Sequence, residues 1–210
     1  MRIVFVHGWG HGPDIWQSVV KLLGDDIAYD LVDLGFSGSE NIPVGHYDIA
    51  VGHSMGCMWL LSQSNITWEK LVFINGFSRF SASDDFPEGV HPRVMDRMLR
   101  KLLKSPVGVL QSFHQLCDPD SKTSYQGIKT PDLSKLVWGL TFLRDQDLRL
   151  NFPEESSYIL ADKDDQVVTE AMTVKLFESN SEWTEGKGHL LPLTDPVACS
   201  SVIKRAVSDL

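Results

Sequence analysis

The sequence predicts an α/β fold: a mostly parallel sheet of about six strands with a helical insertion. Three observations carry this prediction. Over residues 1–77, short β-branched and aromatic runs alternate with stretches of helical apolar spacing, the pattern of strands joined by crossover helices. From Ser78 to Phe152 a loop, "SRFSASDDFPEGVHP", is followed by stretches of helical spacing, and no strand signal occurs. The alternation resumes in residues 153–210. The sheet domain is therefore expected to comprise 1–77 and 153–210, with 78–152 as the insertion.

Ile3 to Val6 reads as a buried strand ending in the glycine-rich loop "HGWGHGPDIW". Asp14 to Leu23 is a helix with Gly24 beyond its end. "IAYDLVDL" and "YDIAVGH" are the second and third strands, "SMGCMWLLSQS" a helix and "KLVFING" the fourth strand. The connection from Gly38 to Tyr47 is too short for a crossover helix, which needs a dozen or more residues. A helix trimmed to a loop and a shifted strand boundary both fit it. Pro92 to Lys104, "SPVGVLQSFHQLCD" and "DLSKLVWGLTFLRDQ" are the helices of the insertion. Ser157 to Leu160 is a strand, Thr169 to Phe177 a helix, Ser181 to Thr184 a short strand, and a last helix starts at Pro196.

The bulk properties fit one domain with a sizeable core: 210 residues, 42% of them hydrophobic. A net charge of −9 disfavours general binding to nucleic acid or anionic membrane. Cys57, Cys117 and Cys199 are widely spaced and make no CxxC or Cys/His metal pattern. "MRIVFVHGWG" has only four apolar residues in a row, too few for a signal-peptide core or a membrane span. A soluble, cytoplasmic, monomeric protein is expected.

Gly52-His53-Ser54-Met55-Gly56 matches G-x-S-x-G between a predicted strand and a predicted helix. That context suits a nucleophile exposed on a sharp turn. Serine needs a base, and His189 in the glycine-flanked loop "EGKGHLLPLTDP" offers one. The base needs an acid to fix its tautomer. Asp162, Asp164 and Asp165 all follow a strand in "YILADKDDQVV". The order serine, aspartate, histidine is that of a hydrolase triad. Met55, after the nucleophile, and Trp9, in "VHGWG", fill the places of the two oxyanion amides. His7 is expected to be a structural hydrogen-bonder and His53 a packing residue. His11, His46, His91 and His114 have no supporting context. This chemistry needs no metal and no organic cofactor.

Together "HGWG", "LVDLGFSGS", "GHSMG", "ADKDDQVV" and "GHLLPLTDP" resemble the α/β-hydrolase superfamily. "FSASDDFPEGVHPRV" and "GLTFLRDQDLR" resemble the lid of biotin-pathway esterases that hydrolyse pimeloyl-acyl-carrier-protein methyl ester. The resemblance implies an α/β-hydrolase fold and a serine carboxylesterase with Ser54 as nucleophile and His189 as base. Its small-x-x-D-x-x-V pattern matches Ala161, Asp164 and Val167, so it implies Asp164 as the acid. It implies an acyl carrier protein as partner. Three departures mark a shortened form. The chain begins at the strand before "HGWG", the connection after "GFSGS" is short, and "DLGFSGS" lacks a proline before the glycine.

The helix from Pro92 places Met95, Met98, Leu99, Leu102 and Leu103 on one face, with Arg93, Arg97, Arg100, Lys101 and Lys104 around it. A basic patch on an acidic chain suits an acidic or phosphate-bearing partner, as the resemblance implies. Phe77, Phe80, Phe86, Phe113, Trp138 and Phe142 are candidates to line an acyl channel, with Phe113 and Trp138 singled out as binding residues. The alternatives are a broad short-chain esterase or thioesterase without carrier dependence, and an inactive binding protein of the same fold.

Overall fold

Strand β1 (Arg2–Val6) sends Ile3 and Phe5 to one side of a sheet and Val4 and Val6 to the other, and all four are fully buried. A strand covered on both faces reads as continuous apolar sequence, which is why this run was legible. The structure is a computed structural model and describes residues 1–24, 26–123, 125–178 and 180–210.

After β1 a 3-10 turn (Pro13–Trp16) leads into α1 (Gln17–Leu23), which Gly24 ends at φ 95°. β2 (Ala28–Leu34), β3 (Glu40–Asn41), β4 (Gly45–His53), α2 (Met55–Leu61) and β5 (Ile66–Ile74) follow. The seven-stranded sheet has the order β3-β2-β1-β4-β5 and then β6 (Ser157–Asp162) and β7 (Ser181–Thr184). Every pairing is parallel except that of β3 with β2.

The short connection is thereby explained. The chain turns back along the outer edge of β2 as a two-residue antiparallel strand, Leu34 facing Glu40. It then passes beyond the start of β1, because β4 begins four residues before the position that faces Ile3. The sequence reading missed β3 and started β4 at Tyr47 rather than Gly45.

Among the described residues, three α-helices lie between β5 and β6, α3 (Pro92–Leu102), α4 (Pro106–Cys117) and α5 (Leu133–Asp145), followed by 3-10 turns at Arg149–Asn151 and Glu154–Ser156. α3 stops at Leu102, short of the expected Lys104, and Leu103 is 66% exposed rather than part of the buried face. The cause is Pro106, which opens α4 and keeps Ser105 out of the helical region, at φ −152° and ψ 77°. α6 (Glu170–Phe177), a short α7 (Leu191–Thr194) and α8 (Pro196–Ser208) complete the chain. α1 and α8 cover one sheet face through Ile15, Val19, Val202 and Ile203. α2, α6 and the three inserted helices cover the other.

Candidate active site

Ser54 sits alone between β4 and α2 at φ 55°, ψ −125°, a left-handed conformation rare for a residue with a side chain. The turn exists because its flanking glycines permit it. A Cβ at Gly56 would lie 2.4 Å from the Val6 carbonyl oxygen, and one at Gly52 would lie 2.6 Å from the Cys57 backbone. The Ser54 N–H donates to the Ile74 oxygen at 3.1 Å, which ties the turn to the end of β5. Met55 opens α2, so its N–H has no acceptor within the helix. Trp9 lies on the loop after β1. Its indole N–H donates to the Leu136 oxygen of α5 at 3.0 Å, which fixes that loop against the inserted helices.

His189 follows Gly186 and Gly188, both at positive φ, and is buried. Its Nε2 is 3.0 Å from Ser54 Oγ. Its Nδ1 is 2.7 Å from Asp165 Oδ2, and that carboxylate is also buried. The pattern-based choice of Asp164 is corrected here. Asp164 is exposed and accepts the Gly186 N–H at 2.7 Å instead of meeting the histidine. A turn over 162–165, closed by the Asp165 N–H on the Asp162 oxygen, carries Asp164 outward and Asp165 inward. Asp165 Oδ1 accepts the N–H groups of Val167 and Val168.

The third aspartate, Asp162, is buried and works on the backbone. Oδ1 accepts from Asp164 and Gly188, and Oδ2 from Thr184 Oγ1 and Lys187. The buried Asn75 accepts the Asp162 N–H on Oδ1 and donates from Nδ2 to the Gly188 and His189 oxygens. Asp162 was one of the three candidate acids, whereas Asn75 did not stand out in the sequence. The one signal was a polar residue closing the apolar run "KLVFI".

Four other histidines near the site are accounted for locally. Leu34 N–H donates to His7 Nε2, so Nδ1 carries the proton and donates to the Gly8 oxygen. His53 donates from Nε2 to the His189 oxygen at 2.9 Å. His11 donates from Nδ1 to the Trp9 oxygen, and His114 from Nε2 to the Gly10 oxygen. Burial holds His11 and His53 well below the usual imidazole range. It also pushes the thiols of Cys57, Cys117 and Cys199 well up, which keeps them protonated. Among the described residues, no cluster of three His, Cys, Asp or Glu side chains could hold a metal ion.

Ser54 opens into a cavity of about 620 Å³ between the sheet and the inserted helices. Phe77, Phe80 and Phe113 contribute to its walls with Met95, Val109 and Leu140. Lys101 and Lys104 also border it, and both are exposed. The remaining expected lining residues do not reach it. Trp138 is 38% exposed and stacks between Phe36 and Phe142, because the closer face of α5 at Gly139 is occupied by the Trp9 ring. Phe86 is buried beside the Arg149 guanidinium instead. Arg93, Arg97 and Arg100 are exposed on α3 and do not line the cavity.

A strained serine on a strand-to-helix turn, an imidazole against it and a carboxylate behind the imidazole recur on one fold in particular. The model of the Alpha/beta hydrolase family matches residues 3–202. The chain belongs to this family. Among curated proteins, it is 27% identical over 175 residues to a pimeloyl-[acyl-carrier protein] methyl ester esterase of Pectobacterium atrosepticum, covering 70% of this chain and 68% of that one. A protein of the same name from Stenotrophomonas maltophilia is 27% identical over 200 residues, covering 81% and 77%. Among solved structures, an esterase from Exiguobacterium antarcticum superposes with a TM-score of 0.78 at 19% identity, over 99% of this chain and 92% of that one. A bromoperoxidase from Bacillus anthracis gives 0.79 at 18%, with the same coverage. These two likenesses are of fold; the reaction has to be argued from the site.

Proposed function

We propose that this α/β hydrolase is a serine carboxylesterase that removes the methyl group from a pimeloyl methyl ester carried on acyl carrier protein. One observation carries the serine-esterase reading. Asp165 Oδ2, His189 Nδ1, His189 Nε2 and Ser54 Oγ form a continuous line at 2.7 and 3.0 Å that ends in an apolar cavity.

Asp165 accepts the Nδ1 proton, which leaves the Nε2 lone pair facing Ser54. His189 takes the Oγ proton as Oγ attacks the ester carbonyl carbon. Negative charge gathers on the carbonyl oxygen, where the amides of Trp9 and Met55 are its assigned donors. The bond to the methoxy oxygen breaks, the imidazolium gives that oxygen its proton, and methanol leaves. Water then attacks the acyl-enzyme with His189 again as base. Ser54 recovers its proton and the acid is released.

Support for the substrate comes from the names of the curated relatives and from the segment 78–152, which we read as a lid. Its cavity is lined mainly by apolar side chains, as an acyl chain requires. Asp96 is the one acid on α3 and is paired with Arg144. Among the described residues, Arg93, Arg97, Arg100, Lys101 and Lys104 are exposed and make no ion pair. They are the proposed docking face for the acidic carrier protein, with no nucleic acid involved. The test compares hydrolysis of carrier-bound pimeloyl methyl ester with that of carrier-free short-chain esters. A gain in kcat/KM with the carrier is expected, and Ser54→Ala should lower kcat on either substrate by about 10³-fold or more. Near-normal hydrolysis by Ser54→Ala refutes the nucleophile. Equal rates with and without the carrier refute carrier dependence and leave a broad short-chain esterase or thioesterase.

A further inference from the structure

We infer that Asn75 is a positioning residue that holds the His189 ring between Ser54 and Asp165. The inference rests on the proposed reading of those three residues as one catalytic unit. Asn75 touches no reacting atom; it acts through backbone.

Its position is singular among the contacts of the site. The residue before it, Ile74, accepts the Ser54 N–H, so Asn75 follows directly from the nucleophile's anchor. Its own N–H donates to the Leu160 oxygen at 2.8 Å, next to the loop that carries the acid. Its side-chain oxygen takes the Asp162 N–H at 2.9 Å. Its side-chain nitrogen gives hydrogens to Gly188 and His189 oxygens at 2.9 and 3.0 Å. The buried side-chain amide thus joins the segments bearing acid and base, and the adjoining Ile74 oxygen holds the nucleophile's turn. Asn75 adopts φ 43°, a left-handed conformation that asparagine tolerates better than other side chains do.

The base loop needs such an anchor. Gly186 and Gly188, at φ 72° and 74°, give the approach to His189 little stiffness of its own. The His189 oxygen is held twice, by Asn75 Nδ2 and by His53 Nε2, both from strand ends beneath the loop. A catalytic group displaced by about 1 Å loses about 10²-fold in rate. Loss of the amide therefore acts on turnover more than on substrate affinity.

The test uses Asn75→Asp, which keeps size and the Asp162 contact but removes the donor, and Asn75→Gly, which removes the side chain and suits the positive φ. Circular dichroism and thermal melts establish that each variant is folded at the assay temperature. Expected for the folded variants is a fall in kcat of about 30- to 100-fold with KM within about twofold. Labelling of Ser54 by a fluorophosphonate should slow in parallel. A residue that only supported the fold would lower the melting temperature and leave both rates per folded molecule unchanged, which overturns the inference. If Asn75→Asp does not fold, Asn75→Gly decides; if neither folds, Asn75 is a folding residue and the inference is overturned. A wild-type protein that is neither labelled nor active overturns the catalytic reading and this inference with it. A labelled, active wild type with equally reactive Asn75 variants overturns the inference alone.

Discussion

Two neighbouring carboxylates divide the labour behind His189. Asp165 is buried and bonded to the ring; Asp164 is exposed and bonded to the Gly186 amide. Asp165→Asn removes the charge that stabilises an imidazolium and favours the wrong tautomer. Steady-state assays should show kcat lower by about 10⁴-fold. Asp164→Asn keeps an acceptor for Gly186 and should cost less than about tenfold, the scale of one weakened hydrogen bond. The reverse ranking would return the acid to Asp164. Gly56→Ala tests the turn itself. Its Cβ would press on the Val6 oxygen, so urea unfolding should show a loss of about 3 kcal/mol or more. Asp165 was hard to choose from sequence because a turn of four residues decides which of two adjacent side chains faces inward.

At the scale of elements, α3 links the cavity to the solvent. Met95 and Leu102 are buried, while its cations are exposed and free of ion pairs among the described residues. Reversing Arg97 and Arg100 to Glu should lower kcat/KM for carrier-bound ester about tenfold or more at low ionic strength, with the gap closing as salt rises. Hydrolysis of a carrier-free ester should be unchanged. Equal loss on both substrates would place the effect in the fold of α3, not in docking. The legible elements were those whose burial writes a pattern into the sequence: continuous apolar runs in β1 and the core of β4, and a helical period in α5, where prediction and structure differ by one residue at each end. β3 was illegible because two exposed residues at a sheet edge carry no period. Leu103 was misplaced because the helical pattern outlasts the helix that Pro106 forces to end. Ser54, His189 and Trp9 stand on connections, and Met55 at a helix start, that the strand-helix alternation itself locates. Asn75 acts through contacts up to 114 residues away, and no local pattern records those.

For the whole molecule, buried neutral histidines contribute to the response to mild acid. His11 and His53 are held below the unfolded imidazole value by burial. Between the folded and unfolded pKa values the unfolded chain binds more protons, so stability rises with pH. Their contribution is complete above about pH 6.5 and is lost as pH falls below it. The melting temperature should therefore be flat from pH 8 to about 7 and fall below about 6.5; a rise on acidification would contradict the neutral assignment. Among the described residues, no helix is long and apolar enough to cross a membrane. The most direct test of the central claim is intact-mass spectrometry after treatment with a fluorophosphonate. The account predicts one adduct per chain, on the peptide that contains Ser54, and none on Ser54→Ala. No adduct, or an adduct on another residue, would contradict it.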